Sequence, residues 1–274
     1  MRSLDHAWLA DALLAGVLAA GRIEMRHYCA GVAVESKADA SPVTAADREA
    51  EEVLLEALAR AAPGVPVVAE ERAAEGLVPV TGDAFFLVDP LDGTREFIEH
   101  CGEFTINIGL VIGQRPAFGI VYAPALEMLY ATAGASRAVE ARVSPGAQVR
   151  GLADCIRSDI RSREPDVGAL VAIESRSHRN EATEAFLAGY PIADSSRSGS
   201  SLKFCIIARG DADLYPRLGE TSEWDTAAGH AILEAAGGTV TTLDEAPLCY
   251  GKADRGFLNP PFVAWGRRPL PARS

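Results

Sequence analysis

Four strongly apolar runs stand close together in the first half of the chain: "AFFLVD" from Ala84, "FTINIGLVI" from Phe104, "AFGIVYAP" from Ala117 and "EMLYATA" from Glu127. They are rich in β-branched and aromatic residues and are separated by short polar or glycine-containing gaps, so they predict sequential strands of one sheet. A further run, "VPVVAE" from Val65, precedes them. Apolar residues at three-to-four spacing predict a helix over 4–29, through Leu4, Trp8, Leu9, Ala12, Leu13, Val17 and Leu18. A second helix is predicted over 44–61, through Val53, Leu54, Ala57, Leu58 and Ala61, with Pro63-Gly64 as its stop. Two helices are therefore expected before the first strand.

The stretch from Ser136 to Asp166 is rich in Arg, Gly, Ser and Pro and has weak periodicity, which places a subdomain change there. Beyond it, "ALVAIES", "DADLYPR" and "TVTTL" alternate with predicted helices over 179–188, 201–209 and 225–236, the last ending at Gly237-Gly238. Alternation of this kind is the α/β signature. The expectation is an α/β protein, α+β in its first half and α/β in its second. The change divides the chain into an N-terminal subdomain over 1–140 and a C-terminal subdomain over 141–274.

With 274 residues, 48% of them hydrophobic, the chain can bury one large core or two modest ones. Its 38 acidic residues against 26 Lys and Arg give a formal charge of -12, which excludes a broad footprint on a nucleic acid polymer. A phosphorylated substrate would need a cation to screen these acids. No run approaches the roughly 18 to 20 apolar residues of a membrane span, and no leader pattern opens the chain, so a cytoplasmic location is expected. The five cysteines are odd in number, scattered and without a C-x-x-C pair, which predicts free thiols.

Acidic residues fall where elements end. Glu70-Glu71 close "VPVVAE", Asp89 closes "AFFLVD", Asp92 follows across a proline turn, and Asp225 opens a helix. Taken alone, Glu70-Glu71 reads as a solvated turn and Asp225 as an N-cap. Asp89 is different, because Phe85-Phe86-Leu87-Val88 predict a strand buried on both faces, and an ionised carboxylate carried inward without a partner is costly. A bound cation is the economical explanation. Pro90 and Gly93 let the chain turn Asp89 and Asp92 toward one point, with the Leu91 carbonyl between them, and oxygen donors of this kind suit Mg²⁺. Thr94 and the amides after Gly93 would begin a helix able to receive phosphate oxygens.

A rival spelling, D-x-D-G-T, belongs to haloacid dehalogenase-like phosphatases, which attack phosphate with the first aspartate. Here one extra residue separates the acids, and on an extended chain positions i and i+3 do not share a face.

Together, "VVAEE" at Val67, "DPLDGTREF" at Asp89 and "EWDTAAGHAIL" at Glu223 resemble the inositol monophosphatase superfamily of magnesium-dependent, lithium-sensitive phosphatases. "SKADASPVTAAD", "GEFTINIGLV", "GIVYAP", "ESRSH", "GSSLKFC", "LYPR" and "FLNPPF" are similar to its bacterial 3'(2'),5'-bisphosphate nucleotidase branch, so that the likeness runs from about Ser36 to Phe262. The resemblance implies the layered α-β-α-β-α sugar-phosphatase fold and two or three Mg²⁺ ions. It implies Glu70, Asp89, Asp92, Asp225 and the Leu91 carbonyl as metal ligands, and Asp47 with Thr94 as the pair that orients and deprotonates the attacking water. It also implies that His178, Ser200, Lys203 and Arg217, beside Gly93, Thr94 and Asp225, hold a small-molecule nucleotide bisphosphate. A role in sulfur assimilation follows from the same resemblance, with peripheral attachment to the inner membrane as the alternative to a free cytoplasmic enzyme. Two other functions compete: an inositol or sugar-phosphate phosphatase, and a catalytically silent sensor of metal and nucleotide.

Overall fold

The computed structural model describes residues 5–31, 34–36, 42–177 and 180–272. It opens with α1 (His6–Ala30), whose N-terminus is capped by the Asp5 carboxylate accepting from the Trp8 amide. Two short antiparallel strands, β1 (Val34–Ser36) and β2 (Pro42–Thr44), precede α2 (Ala45–Ala61). This hairpin corrects the expectation of two helices before any strand. Its strands are only three residues each, too short to show a period-2 pattern.

The predicted strand runs form β3 (Val67–Ala69), β4 (Ala84–Asp92), β5 (Thr105–Ile112), β6 (Arg115–Ala123) and β7 (Met128–Gly134). One-turn helices α3 (Glu70–Ala74) and α4 (Thr94–Ile98) follow β3 and β4. The segment read as irregular instead supplies β8 (Arg137–Arg142) and β9 (Ile156–Ile160). All seven strands from β3 to β9 lie in one sheet in chain order, antiparallel except for the parallel β3/β4 pair. The first sheet thus extends past residue 140, to Ile160.

The second half contributes β10 (Leu170–Ser175), α5 (Glu181–Ala188), β11 (Ile192–Ser198), α6 (Leu202–Ala208), β12 (Leu214–Arg217), α7 (Ala227–Ala235), β13 (Thr239–Thr242) and β14 (Phe262–Trp265). Its sheet has the order β11-β10-β12-β14-β13.

The layers follow from which face each strand residue presents. In β4 the side chains alternate, Phe86 and Val88 joining the core under α1 and α2, Phe85 and Leu87 joining the core with α6, α7 and the second sheet. A smaller cluster seats α5 on the far side of that second sheet through Leu187 against Leu170, Leu214 and Trp265. The order is helix, sheet, helix, sheet, helix. Helix α1 is long and apolar enough to cross a membrane by length and composition, yet Leu9, Leu13, Leu14, Val17 and Leu18 are spent on packing against α2 and the first sheet.

Glycine decides how close α7 approaches the first sheet. A Cβ at Gly119 would lie 2.2 Å from the Ala228 carbonyl oxygen, and one at Gly109 2.7 Å from the Ala227 Cβ. Backbone contact at these two points brings the start of α7 against β5 and β6, beside the acidic end of β4.

Candidate active site

Asp89 lies within β4 and is 1% exposed, because the apolar strand before it runs through the core. The strand does not stop there: it continues to Asp92 with a register irregularity between the two aspartates, and this break substitutes for the expected turn. The Asp89 carboxylate accepts from the Leu91 amide at 3.0 Å. Glu70 opens α3 rather than closing β3, since the strand ends at Ala69. Its placement is set by Glu51 on α2, whose carboxylate accepts from the next two amides, Glu71 at 2.8 Å and Arg72 at 3.1 Å.

Asp225 precedes α7, but it is not the cap: Thr226 is the N-cap residue and makes no side-chain cap bond. One oxygen of the Asp225 carboxylate instead accepts from the Thr221 hydroxyl at 2.7 Å and the Ser222 amide at 2.9 Å. One carboxylate oxygen from each of Glu70, Asp89 and Asp225 lies within 4.8 Å of the others. Asp92 stands beside this trio, with one oxygen accepting from Ser201 Oγ at 2.9 Å and Asn107 Nδ2 at 3.3 Å.

The electrostatics are those of a cluster lacking a counter-charge. Burial, then the neighbouring Glu70, Asp92 and Asp225, push the Asp89 carboxyl well above the usual range. Asp225 is pushed up to about 7, first by burial and then by Asp92 and Glu70. Burial also raises Asp92, against the Lys203 ammonium, which lowers it. An all-oxygen donor set of like charge, half-enclosed and open to a cavity, fits a hard divalent cation such as Mg²⁺. The Leu91 carbonyl, expected among the donors, accepts from Thr94 Oγ1 at 3.3 Å.

A cavity of about 510 Å³ opens over these acids, within the range of small-molecule sites. It is lined by Glu70, Asp92, Gly93, Thr94 and Asp225 together with Ser200, Lys203 and Arg217. Lys203, on α6, is only 5% exposed and lies 5.3 Å over the Tyr215 ring, donating to the Ser200 carbonyl and, at 3.4 Å, to that of Ser198. Burial lowers its pKa to about 8, with Asp92 opposing that fall. Arg217 ends β12, 9% exposed, and its Nη2 donates to the Glu220 carbonyl at 2.5 Å. Its Nε and the Ser200 hydroxyl are buried polar atoms without a hydrogen-bond partner in the wall of the cavity. Ser200 has φ +49°, a left-handed conformation that side chains rarely adopt. Gly93, with φ +90°, precedes α4 and starts the turn that carries Thr94 into the cavity wall.

Asp47 is buried in the first turn of α2, and its neighbour Ala46 packs with Leu91 and Phe97 on either side of the Gly93-Thr94 turn. His178 lies outside the described residues. Reasoning from sequence overlooked Ser201, which also lies 2.6 Å from the Asp225 carbonyl and so ties α6 to two of the acids. It also overlooked Glu51, Asn107 and Thr221. Only Asn107 had a local signal, as the lone amide inside the apolar run "TINIGLVI".

A five-layer α/β fold with an acidic cluster at the mouth of a cavity defines a candidate metal-dependent hydrolase. The chain belongs to the inositol monophosphatase family, whose model matches residues 8–264. It is 44% identical over 230 residues to the 3'(2'),5'-bisphosphate nucleotidase CysQ of Escherichia coli (strain K12), covering 84% of this chain and 87% of that one. It is 34% identical to the CysQ of Buchnera aphidicola over 96% of both chains. Among solved structures, CysQ from Bacteroides thetaiotaomicron matches with a TM-score of 0.76 and 35% identity over 95% of this chain and 97% of that one. An inositol monophosphatase from Anabaena matches with a TM-score of 0.71 and 26% identity, over 94% and 90% respectively.

Proposed function

We propose that this protein is a Mg²⁺-dependent 3'(2'),5'-bisphosphate nucleotidase that hydrolyses adenosine 3',5'-bisphosphate to AMP and phosphate. The observation that carries the reading is one cavity lined both by acids of the cluster, Glu70, Asp92 and Asp225, and by a buried lysine and arginine. A substrate with a single phosphate needs only the first; a second, non-scissile phosphate gives the cationic wall something to hold. The similarity to several CysQ nucleotidases supports the same choice over an inositol phosphatase.

Glu70, Asp89, Asp92, Asp225 and the Leu91 carbonyl would hold the two or three Mg²⁺ ions, which supply charge neutralisation for the transferring phosphoryl group when bound. Thr94 and the amides after Gly93 receive the scissile phosphate. Asp47 takes the proton of the attacking water through the Thr94 hydroxyl, the new P–O bond forms in line, and the bond to the 3'-oxygen breaks without a phosphoenzyme, the departing 3'-oxygen taking up a proton from solvent. Lys203, Arg217, Ser200 and His178 orient the nucleotide. The five cysteines, all among the described residues, are free thiols, which suits a reducing cytoplasm. The same reading carries a role in sulfur assimilation, sensitivity to lithium and the choice between a free enzyme and one peripheral on the inner membrane.

Phosphate release from adenosine 3',5'-bisphosphate and from inositol 1-phosphate, each with and without Mg²⁺, tests the reading. Preference for the bisphosphate and dependence on Mg²⁺ are expected; preference for inositol 1-phosphate would remove the nucleotidase assignment. In the same assay Lys203→Ala should raise KM for the bisphosphate about 10- to 100-fold, the worth of a charge-assisted hydrogen bond, with kcat little changed. An unchanged KM would take Lys203 out of the substrate pocket.

A further inference from the structure

Behind the cavity, buried polar side chains run in an unbroken chain through the middle layer. His230 on α7 is fully buried; its Nδ1 lies 2.9 Å from the Tyr250 hydroxyl and its Nε2 3.1 Å from Glu234 Oε1. Tyr250 Oη is 3.2 Å from Thr226 Oγ1, and Asn259 Nδ2 donates to that same Thr226 oxygen at 3.0 Å and to the Ser222 carbonyl at 2.9 Å. The Asn259 amide donates to the Thr221 carbonyl at 2.9 Å. At its other end the chain is anchored to the first sheet, where Arg115 at the start of β6 pairs with Glu234 at 2.5 Å.

We propose that this chain, from His230 through Tyr250, Thr226 and Asn259, is a positioning device for the metal-ligand loop 221–226, fixing the direction in which the Asp225 carboxylate points. The carboxylate is oriented by Thr221 and Ser222, and Asn259 holds the backbone carbonyls of those same two residues. Thr226, the next residue, is held by both Tyr250 and Asn259. Ser201 holds the Asp225 carbonyl from α6, but the direction of the carboxylate is set by Thr221 and Ser222, in a loop tied to the protein interior. Burying four polar side chains in the middle layer costs desolvation that an apolar core would avoid, unless every member is paired, and here the pairing runs toward the site. Partners behind a ligand commonly govern metal affinity, and here Asn259 reaches Asp225 through the two residues that hold its carboxylate.

The inference rests on the proposed metal site, and the test keeps the two apart. Mn²⁺ binding to the intact protein without substrate is measured by electron paramagnetic resonance, for wild type, Tyr250→Phe and His230→Ala. Both variants are expected to bind Mn²⁺ about tenfold or more weakly. In activity assays the Mg²⁺ concentration giving half-maximal rate should rise by the same factor, while kcat at saturating Mg²⁺ and KM for the nucleotide stay close to wild type. Tyr122→Phe removes another buried hydroxyl, which donates to the Val143 carbonyl at 3.0 Å away from this chain, and should leave Mn²⁺ affinity unchanged. Should His230→Ala fail to fold, Tyr250→Phe deletes a single oxygen and carries the test. Wild-type Mn²⁺ affinity in Tyr250→Phe, whatever its Tm, overturns the positioning role alone. A wild-type protein that binds no Mn²⁺ removes the metal site and the inference with it.

Discussion

Asp89→Asn is expected to lower kcat/KM by roughly 10³-fold or more while making the metal-free protein more stable than wild type. The two effects have opposite signs for one reason. Asp89 is buried among Glu70, Asp92 and Asp225, and burial and these neighbours all disfavour its charge. The asparagine keeps the shape, and its carbonyl oxygen can still accept from the Leu91 amide, but one buried negative charge is gone. Without a cation that is a relief; with one it is the loss of a central ligand. Neutralising charge on a phosphoryl group by a bound metal supplies several kcal/mol, and about 4 kcal/mol corresponds to roughly 10³ in rate. Phosphate release and thermal melts, each with and without Mg²⁺, read both effects. Activity within tenfold of wild type, or a lower metal-free Tm, would mean the acids have another purpose.

The second large effect is the pH dependence of the metal-free protein. Asp89, Asp92 and Asp225 all have folded pKa values raised first by burial, Asp225 to about 7. A carboxyl that binds its proton more tightly when folded contributes stability that is fully present below its unfolded value, about 4, and is lost as pH rises through the folded one. In a chelator, Tm should therefore fall as pH is raised from about 4 toward 8, the Asp225 contribution disappearing around pH 7. Glu24, raised by burial and by Asp47, adds to this slope, while His230, lowered by burial, opposes it on the acid side. Mg²⁺ isolates the cluster, because it stabilises only the deprotonated acids. At a fixed concentration 100 times its Kd at pH 8 it should contribute about 2.7 kcal/mol there, or roughly 5 to 10 °C in Tm for a chain of this size, and less at pH 5, where protons compete for the same carboxylates. A Mg²⁺ shift of equal size at both pH values would argue against carboxylate ligands.

Much of this molecule is legible in one dimension. The β4 run Phe85 to Val88 announces its own burial, and every predicted strand from Val65 to Glu127 has a counterpart in the seven-stranded sheet. Strands β8 and β9 were hidden because β9 is an exposed edge whose side chains, Ile156 to Asp159, carry no alternating apolar pattern. Asp225 looked like a helix cap because its neighbours in sequence are helical; that its carboxylate is instead held by Thr221 and Ser222 depends on a loop conformation.

The sequence by itself determined the periodicities, hence the elements and the α/β class, and it marked Glu70, Asp89, Asp92 and Asp225 as acids at element ends. Periodicity is a local property, set by how a helix or strand presents its side chains, and it survives without tertiary information. Only the tertiary structure decided which of these acids share a cavity, that Lys203 and Arg217 are buried in its lining, and that Ser201, Glu51 and Asn259 hold the arrangement. Those contacts join residues tens of positions apart, and no short-range pattern encodes them, because the distance between two side chains across a fold is fixed by the packing of everything between.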